Sequence, residues 1–263
     1  MSRPCPIALA RLFAVIIFVL LSLICLVVLR GFNTAQAIAI PSYFQPGAFW
    51  TQMEEASPVV GMTIVNPSNG PGSLADADHV NQVKKSQVEA GLTVLGYVPT
   101  SYSARDALGV KEDIDRYYSW YGVDGIFFDE ASTECSKVSS YYEDLYGYVK
   151  AKGGKAKVAL NPGIQTNECY MAVSDIVVNF EDTYATYANS YSEPDWISNY
   201  SHARFWHLIH TTPYADLENA VSLSKQRNAG WVYVTPDTLP NPWDTLPEEP
   251  YWGQELQAVE ASG

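Results

Sequence analysis

The stretch GVDGIFFDEASTEC, residues 122–135, ends an apolar run on two adjacent carboxylates, Asp129 and Glu130. A third, Glu181, with Asp182 after it, closes a second apolar run in VVNFED. Glycoside hydrolysis is the chemistry that needs grouped carboxylates: one acid protonates the leaving oxygen, and another stays ionised to attack, to activate water or to steady a cation. Two carboxylates in one site push each other's pKa values apart, which supplies one protonated and one charged partner near neutral pH. Asp129 and Glu130 have opposite parity in an ideal strand, so both face inward only if the backbone turns between them. A plainer reading makes the pair a solvated strand-end acid and a helix cap, and Glu181 a salt-bridged loop acid.

Other reaction classes lack their residues. There is no Gly-x-Ser-x-Gly elbow, His-Glu-x-x-His helix or phosphate-binding loop. Asp129, Glu130, His210 and Asp237 could be read as a metal set, but nothing in their spacing selects one, and the expectation is no metal and no cofactor. Asn66 in VNPSNGPG and Asn161 in LNPG could bond sugar hydroxyls or an acetamido group, or simply form turns. His210 could bind substrate or tune an acid, or serve as a cap. Eighteen Tyr and seven Trp exceed what a core needs. Tyr43, Tyr97, Tyr102 and Trp50 are candidate platforms for sugar rings.

These residues need elements to hold them. Strand patterns fall at 40–44, 59–65, 93–98, 125–128, 157–160, 175–180, 205–209 and 231–234. Helical patterns lie between them at 77–90, 107–121, 138–152 and 216–229, with Gly91, Gly122, Gly153 and Gly230 at C′ positions. The helix after the sixth strand has only EPDWISNY as a candidate. Eight strands alternating with helices over about 220 residues predict a single (β/α)8 barrel. A doubly wound open sheet is the alternative, but QPGAFW after the first strand is no dinucleotide fingerprint. In a barrel the residues at the strands' C-terminal ends share one mouth. There they are Tyr43, Asn66, Tyr97, Asp129 with Glu130, Asn161, Glu181 with Asp182, His210, and Thr235 with Asp237.

The 263 residues divide into a short basic n-region or cytoplasmic piece (1–11), an apolar run (12–29), a linker (30–39) and the barrel (40–263). The apolar run is about 27 Å long as a helix, just enough to cross a bilayer. It reads as a type II anchor with an extracellular domain, or as a signal cleaved after Ala37. Either way the domain enters the secretory pathway. In that oxidising compartment Cys135 and Cys169 are expected to pair, while Cys5 and Cys25 belong to the apolar segment. Asn199-Tyr200-Ser201 is a glycosylation sequon. A net charge of −13 argues against nucleic acid or an anionic membrane surface as partner of the folded part, and suits a neutral or cationic ligand. We expect a monomer.

The segments VNPSNGPG, VLGYVPTSY, DIDRYYSWYGVDGIFFDE, LNPG, VVNFED and YVTPDTLPNPWDTLP together resemble the spherulin-4-like proteins, glycoside hydrolase family 135. The resemblance runs from about residue 40 to the C-terminus. It implies a (β/α)8 fold and endo-hydrolysis of α-1,4-linked galactosamine/N-acetylgalactosamine polymers such as fungal galactosaminogalactan. It also implies three functional acids, which fall on Asp129, Glu130 and Glu181. Glu130 or Glu181 would then be the general acid, with Asp129 orienting an acetamido group or stabilising the developing cation. An N-terminal anchor occurs in fungal enzymes of the family. Pro99 stands where many relatives are expected to carry His, which alters one subsite contact. A non-catalytic carbohydrate-binding or coat protein on the same barrel is the alternative function.

Overall fold

A computed structural model describes residues 36–165 and 167–261. The apolar run at 12–29, with Cys5 and Cys25, lies outside the described residues. Among those that are described, no helix is long and apolar enough to cross a membrane.

Eight parallel strands close into a barrel in sequence order: β1 (Ala37–Ser42), β2 (Val60–Val65), β3 (Thr93–Pro99), β4 (Gly125–Asp129), β5 (Lys157–Leu160), β6 (Ile176–Thr183), β7 (Phe205–His210) and β8 (Trp231–Val234). Each strand is buried along most of its length because barrel walls face side chains on both sides. Inside the barrel, Phe127 packs edge-on against Trp206 at 5.7 Å and lies 6.3 Å from Tyr97. Gly125 is required by close approach: a Cβ there would lie 2.2 Å from the Lys157 carbonyl oxygen on the neighbouring strand.

The strand patterns hold, with shifts at their ends. β1 starts at Ala37, so residues 37–39 belong to the barrel wall and not to the linker. The reason is pairing, since Ala37 and Ile38 sit opposite Trp231 and Val232 of β8. β6 runs past its apolar part to Thr183, because Glu181, Asp182 and Thr183 pair with Leu208, Ile209 and His210 of β7.

Seven α-helices of at least six residues accompany the described strands: α1 (Ala48–Glu55), α2 (Ala77–Val88), α3 (Ala107–Arg116), α4 (Glu143–Lys150), α5 (Tyr184–Asn189), α6 (Leu217–Gln226) and α7 (Tyr251–Glu260). Asp76 caps α2 through the His79 N–H, and Asp106 caps α3 through Leu108 and Gly109. A π turn, Tyr117–Tyr121, extends α3 to the left-handed Gly122. Of the other three glycines expected to end helices, Gly91 is also left-handed, whereas Gly153 and Gly230 are not. Gly230 is instead pressed against the His202 carbonyl.

One expectation about helices fails, and one helix was not foreseen. EPDWISNY forms only a 3-10 turn, Asp195–Asn199, and the helix after β6 is α5, capped by the Thr183 hydroxyl. Its YATYAN sequence has no apolar period to betray it. The C-terminal α7 was not anticipated either. α7 covers the seam between β1 and β8, which are paired only at their lower ends. There the fully buried Glu255 accepts the Val234 N–H at 2.8 Å.

Candidate active site

The strand ends deliver the acids as the register requires. Asp129 ends β4 opposite Pro99 of β3, and its side chain points inward beside Tyr97, whose hydroxyl donates to Oδ2 at 2.8 Å. Glu130 then takes a left-handed backbone, φ 50°. That turn is what opposite parity demanded, and it brings both acids to one cavity. The turn is held from outside by the Tyr102 N–H, which donates to the Glu130 carbonyl at 2.7 Å. Thr100 adds hydroxyl contacts to the carbonyls of Asp129 and Glu130. Ser101 donates to Glu130 Oε2 at 3.2 Å.

Asn161 sits at the end of β5, where the turn reading holds and the amide also reaches two of the acids. Its Oδ1 closes a turn by accepting the Gly163 N–H at 2.9 Å. Its Nδ2 donates to Asp129 Oδ1 at 2.9 Å and to Glu181 Oε2 at 2.6 Å. Glu181, half-buried on β6, receives a further bond on Oε1 from Trp243 Nε1 at 3.2 Å. Burial, and then the charge of Asp129, push the Glu181 carboxyl up to about 7 against the pull of its two donors. Burial also raises Asp129, opposed by the Tyr97 bond and assisted by the Glu130 charge. His210, at the end of β7, is held below its ordinary pKa by burial, and its Nδ1 bonds the Thr211 hydroxyl at 2.8 Å.

These groups line a cavity of about 430 Å³, rimmed by Tyr102 and Leu239. It adjoins a second hollow of about 220 Å³, which shares Gly163, Glu181 and Asp182 and extends between the β5 and β6 loops. Among the described residues, no Lys or Arg forms a salt bridge with Asp129, Glu130, Glu181 or Asp182; the ion pairs lie elsewhere. A further cavity of about 330 Å³ opens at the opposite end of the barrel. Of its lining charges, Asp175 is held by Lys150 and Arg204 by three backbone carbonyls.

The other candidates separate cleanly. Tyr97 is in the site, and Tyr43 packs edge-on against it at 5.4 Å. Tyr102 stands 62% exposed at the rim. Trp50 does not: it is fully buried and its Nε1 donates to the Phe44 carbonyl at 3.2 Å, so it is a packing residue. Asn66 is a turn former whose Oδ1 accepts the Gly70 N–H at 2.9 Å. Asp237 braces its own loop, accepting from the Thr245 hydroxyl. No group of three or more His, Cys, Asp or Glu among the described residues is arranged to hold a metal. Cys135 and Cys169 form a disulfide that ties the loop after β4 to the loop after β5. Asn199 is exposed. Trp243 escaped the sequence reading, since it lies 9 residues beyond β8 with no periodicity. Its one signal is an aromatic flanked by prolines in NPWDTLP.

Comparison with known proteins agrees with this architecture. The spherulation-specific family 4 profile matches residues 37–259. Spherulin-4 of Physarum polycephalum is 34% identical over 238 residues, covering 85% of this chain and 70% of that protein. Among solved structures, Aspergillus clavatus Sph3 in complex with GalNAc superposes with a TM-score of 0.73 at 24% identity, covering 86% of this chain and 98% of the other. An endo-beta-N-acetylglucosaminidase from Cordyceps militaris gives 0.55 at 12% identity, with 86% and 91% covered. A chitinase from Pyrococcus furiosus gives 0.56 at 14%, with 86% and 94% covered. These likenesses establish a shared barrel.

Proposed function

The chain belongs to spherulation-specific family 4, and from that premise we propose that it is an endo-acting glycoside hydrolase. Its proposed substrate is an α-1,4-linked galactosamine/N-acetylgalactosamine polymer, galactosaminogalactan-like. One observation carries the reading: Asp129 and Glu181 face one cavity across a single shared amide, that of Asn161.

Burial and the Asp129 charge raise the Glu181 carboxyl to about 7, near the pH at which a general acid must hold its proton, so Glu181 is the proposed general acid and Asp129 its ionised partner. Asp129 then steadies the cation or attacks it, and Glu130 holds the 2-amino or acetamido group. The two oxygens that share the Asn161 nitrogen are separated by no more than 2.9 and 2.6 Å laid end to end. Oxygens this near each other suit a retaining route, direct or assisted by the acetamido group.

A hexosamine at this mouth is supported by the relative solved with GalNAc. Acids without cationic partners, in a protein of net charge −13, favour a polymer carrying free amines. The adjoining hollow gives room for neighbouring sugars, as internal attack requires. We also infer that the domain works in the secretory pathway or beyond it, where the Cys135–Cys169 bond persists and Asn199 is open to glycosylation.

The test is reducing-end release from galactosaminogalactan, acetylated and deacetylated, by wild type and Glu181→Gln. Release by wild type alone supports the proposal. Binding without release by wild type would make the chain a carbohydrate-binding or coat protein.

A further inference from the structure

The carboxyl of Glu181 is held by donors alone. Among the described residues, its hydrogen-bond partners are Asn161 Nδ2 on Oε2 and Trp243 Nε1 on Oε1. An indole N–H donates and never accepts. The Asn161 amide cannot turn its oxygen toward Glu181 without loss. That oxygen already accepts the Gly163 N–H, and the same rotation would set a carbonyl against Asp129 as well. A proton on Glu181 therefore finds no acceptor in its own clamp, and the residue lines the cavity.

Trp243 is built to hold this position. It is 5% exposed, with its ring 5.8 Å from Tyr233 and edge-on to His210 at 6.0 Å. Its carbonyl accepts the Tyr43 N–H at 3.1 Å, so the loop after β8 is tied to the end of β1, above the stretch where those two strands are unpaired. The titratable groups around Glu181 are Tyr43 after β1, Tyr97 on β3, Asp129 at the end of β4 and Glu130 after it, the adjacent Asp182, and His210 on β7. None of them replaces the indole as a donor to Oε1.

We propose that Trp243 is a positioning residue: with Asn161 it locks the Glu181 carboxyl so that its proton is presented to the leaving oxygen. The inference rests on the hydrolase reading for what the proton does, and on geometry for where it sits. In the step itself, Glu181 gives its proton to the glycosidic oxygen as the bond from the anomeric carbon breaks and its electron pair goes to that oxygen. The carboxylate left behind is met by the two donors already in place.

The experiment uses full-length protein labelled with ¹⁵N-tryptophan, without substrate. One indole signal, identified by its loss in Trp243→Phe, should move with pH at a midpoint about 7, and should stop moving in Glu181→Gln. On the polymer, Trp243→Phe should lose roughly 10- to 100-fold in kcat with KM within about threefold. Its alkaline limb should move to higher pH, because a donor to the carboxylate is gone. An indole signal that ignores Glu181, or a Trp243→Phe enzyme with unchanged kcat and pH limb, overturns the proposal. A loss confined to KM does so too, since Trp243 would then be a sugar platform. If wild type cleaves no glycan, the hydrolase reading falls while the indole titration still decides the clamp.

Discussion

Asp129 and Glu181 stand on different strands yet take their hydrogen bonds from one nitrogen, Asn161 Nδ2, at 2.9 and 2.6 Å. The shared amide lowers the proton affinity of both and fixes their spacing. Removing it with Asn161→Ala should raise both pKa values, because each donor favours the ionised form. The acid limb of kcat/KM, set by Asp129, should move to higher pH. The value at the optimum should fall by roughly 100-fold through lost positioning. A pH–rate series on Asn161→Ala and wild type checks both.

The wild-type profile itself is predictable. Activity needs Asp129 ionised and Glu181 protonated, so kcat/KM should be bell-shaped, with its alkaline limb near the value of about 7 for Glu181. Glu181→Gln keeps the size and shape of the side chain but has no acid proton to give. It should lose about 10²–10⁴-fold in kcat and its alkaline limb with it. Asp129→Asn should lose as much, together with its acid limb.

The strands were readable because wall residues buried on both faces leave short apolar runs, and a run that stops at FFDE or NFED marks a mouth. The three acids were therefore visible as strand ends. What could not be read was how the backbone leaves the strand. The left-handed Glu130, which admits both acids, depends on bonds from Thr100 and Tyr102 on the neighbouring loop. Trp243 was hidden for a related reason: its partner Glu181 is 62 residues away across the barrel, and nothing local records that contact. Trp50 shows the opposite error, since an aromatic near a strand end looks like a platform whether it faces the mouth or the core.

The Cys135–Cys169 bond closes a loop of 34 residues that spans β5's approach to the site. In the chain-entropy account such a closure is worth about 3–4 kcal/mol. The Cys135→Ser/Cys169→Ser double variant should unfold at a Tm lower by about 6–16 °C, scaling from about 2–4 °C per kcal/mol in domains of this size. Asn161 lies within this loop but is anchored to the barrel wall, its N–H donating to the Phe128 carbonyl at 2.9 Å, so activity below the transition should fall less than stability does. Calorimetry with parallel activity assays tests the pair of expectations.

Glu255 has no part in the proposed chemistry, and its burial makes a prediction about stability alone. Burial pushes its carboxyl up to about 8, only partly opposed by the Val234 N–H, and its Oε2 has no hydrogen-bond partner. In the unfolded chain the same group titrates at about 4.3. Below that pH both states hold the proton and the group exerts no pull. Between about 4.3 and 8 the unfolded chain releases the proton and the folded one keeps it, so stability falls as pH rises, by at most about 1.4 kcal/mol per unit. Above 8 both states are ionised and the slope ends. Glu255→Gln keeps an acceptor for Val234 and cannot ionise. Its denaturation midpoint should therefore fall less steeply than that of wild type from pH 5 to 8, and the two should differ most at the alkaline end. Urea titrations at three pH values in that window decide it: parallel lines would mean that Glu255 is already ionised in the fold.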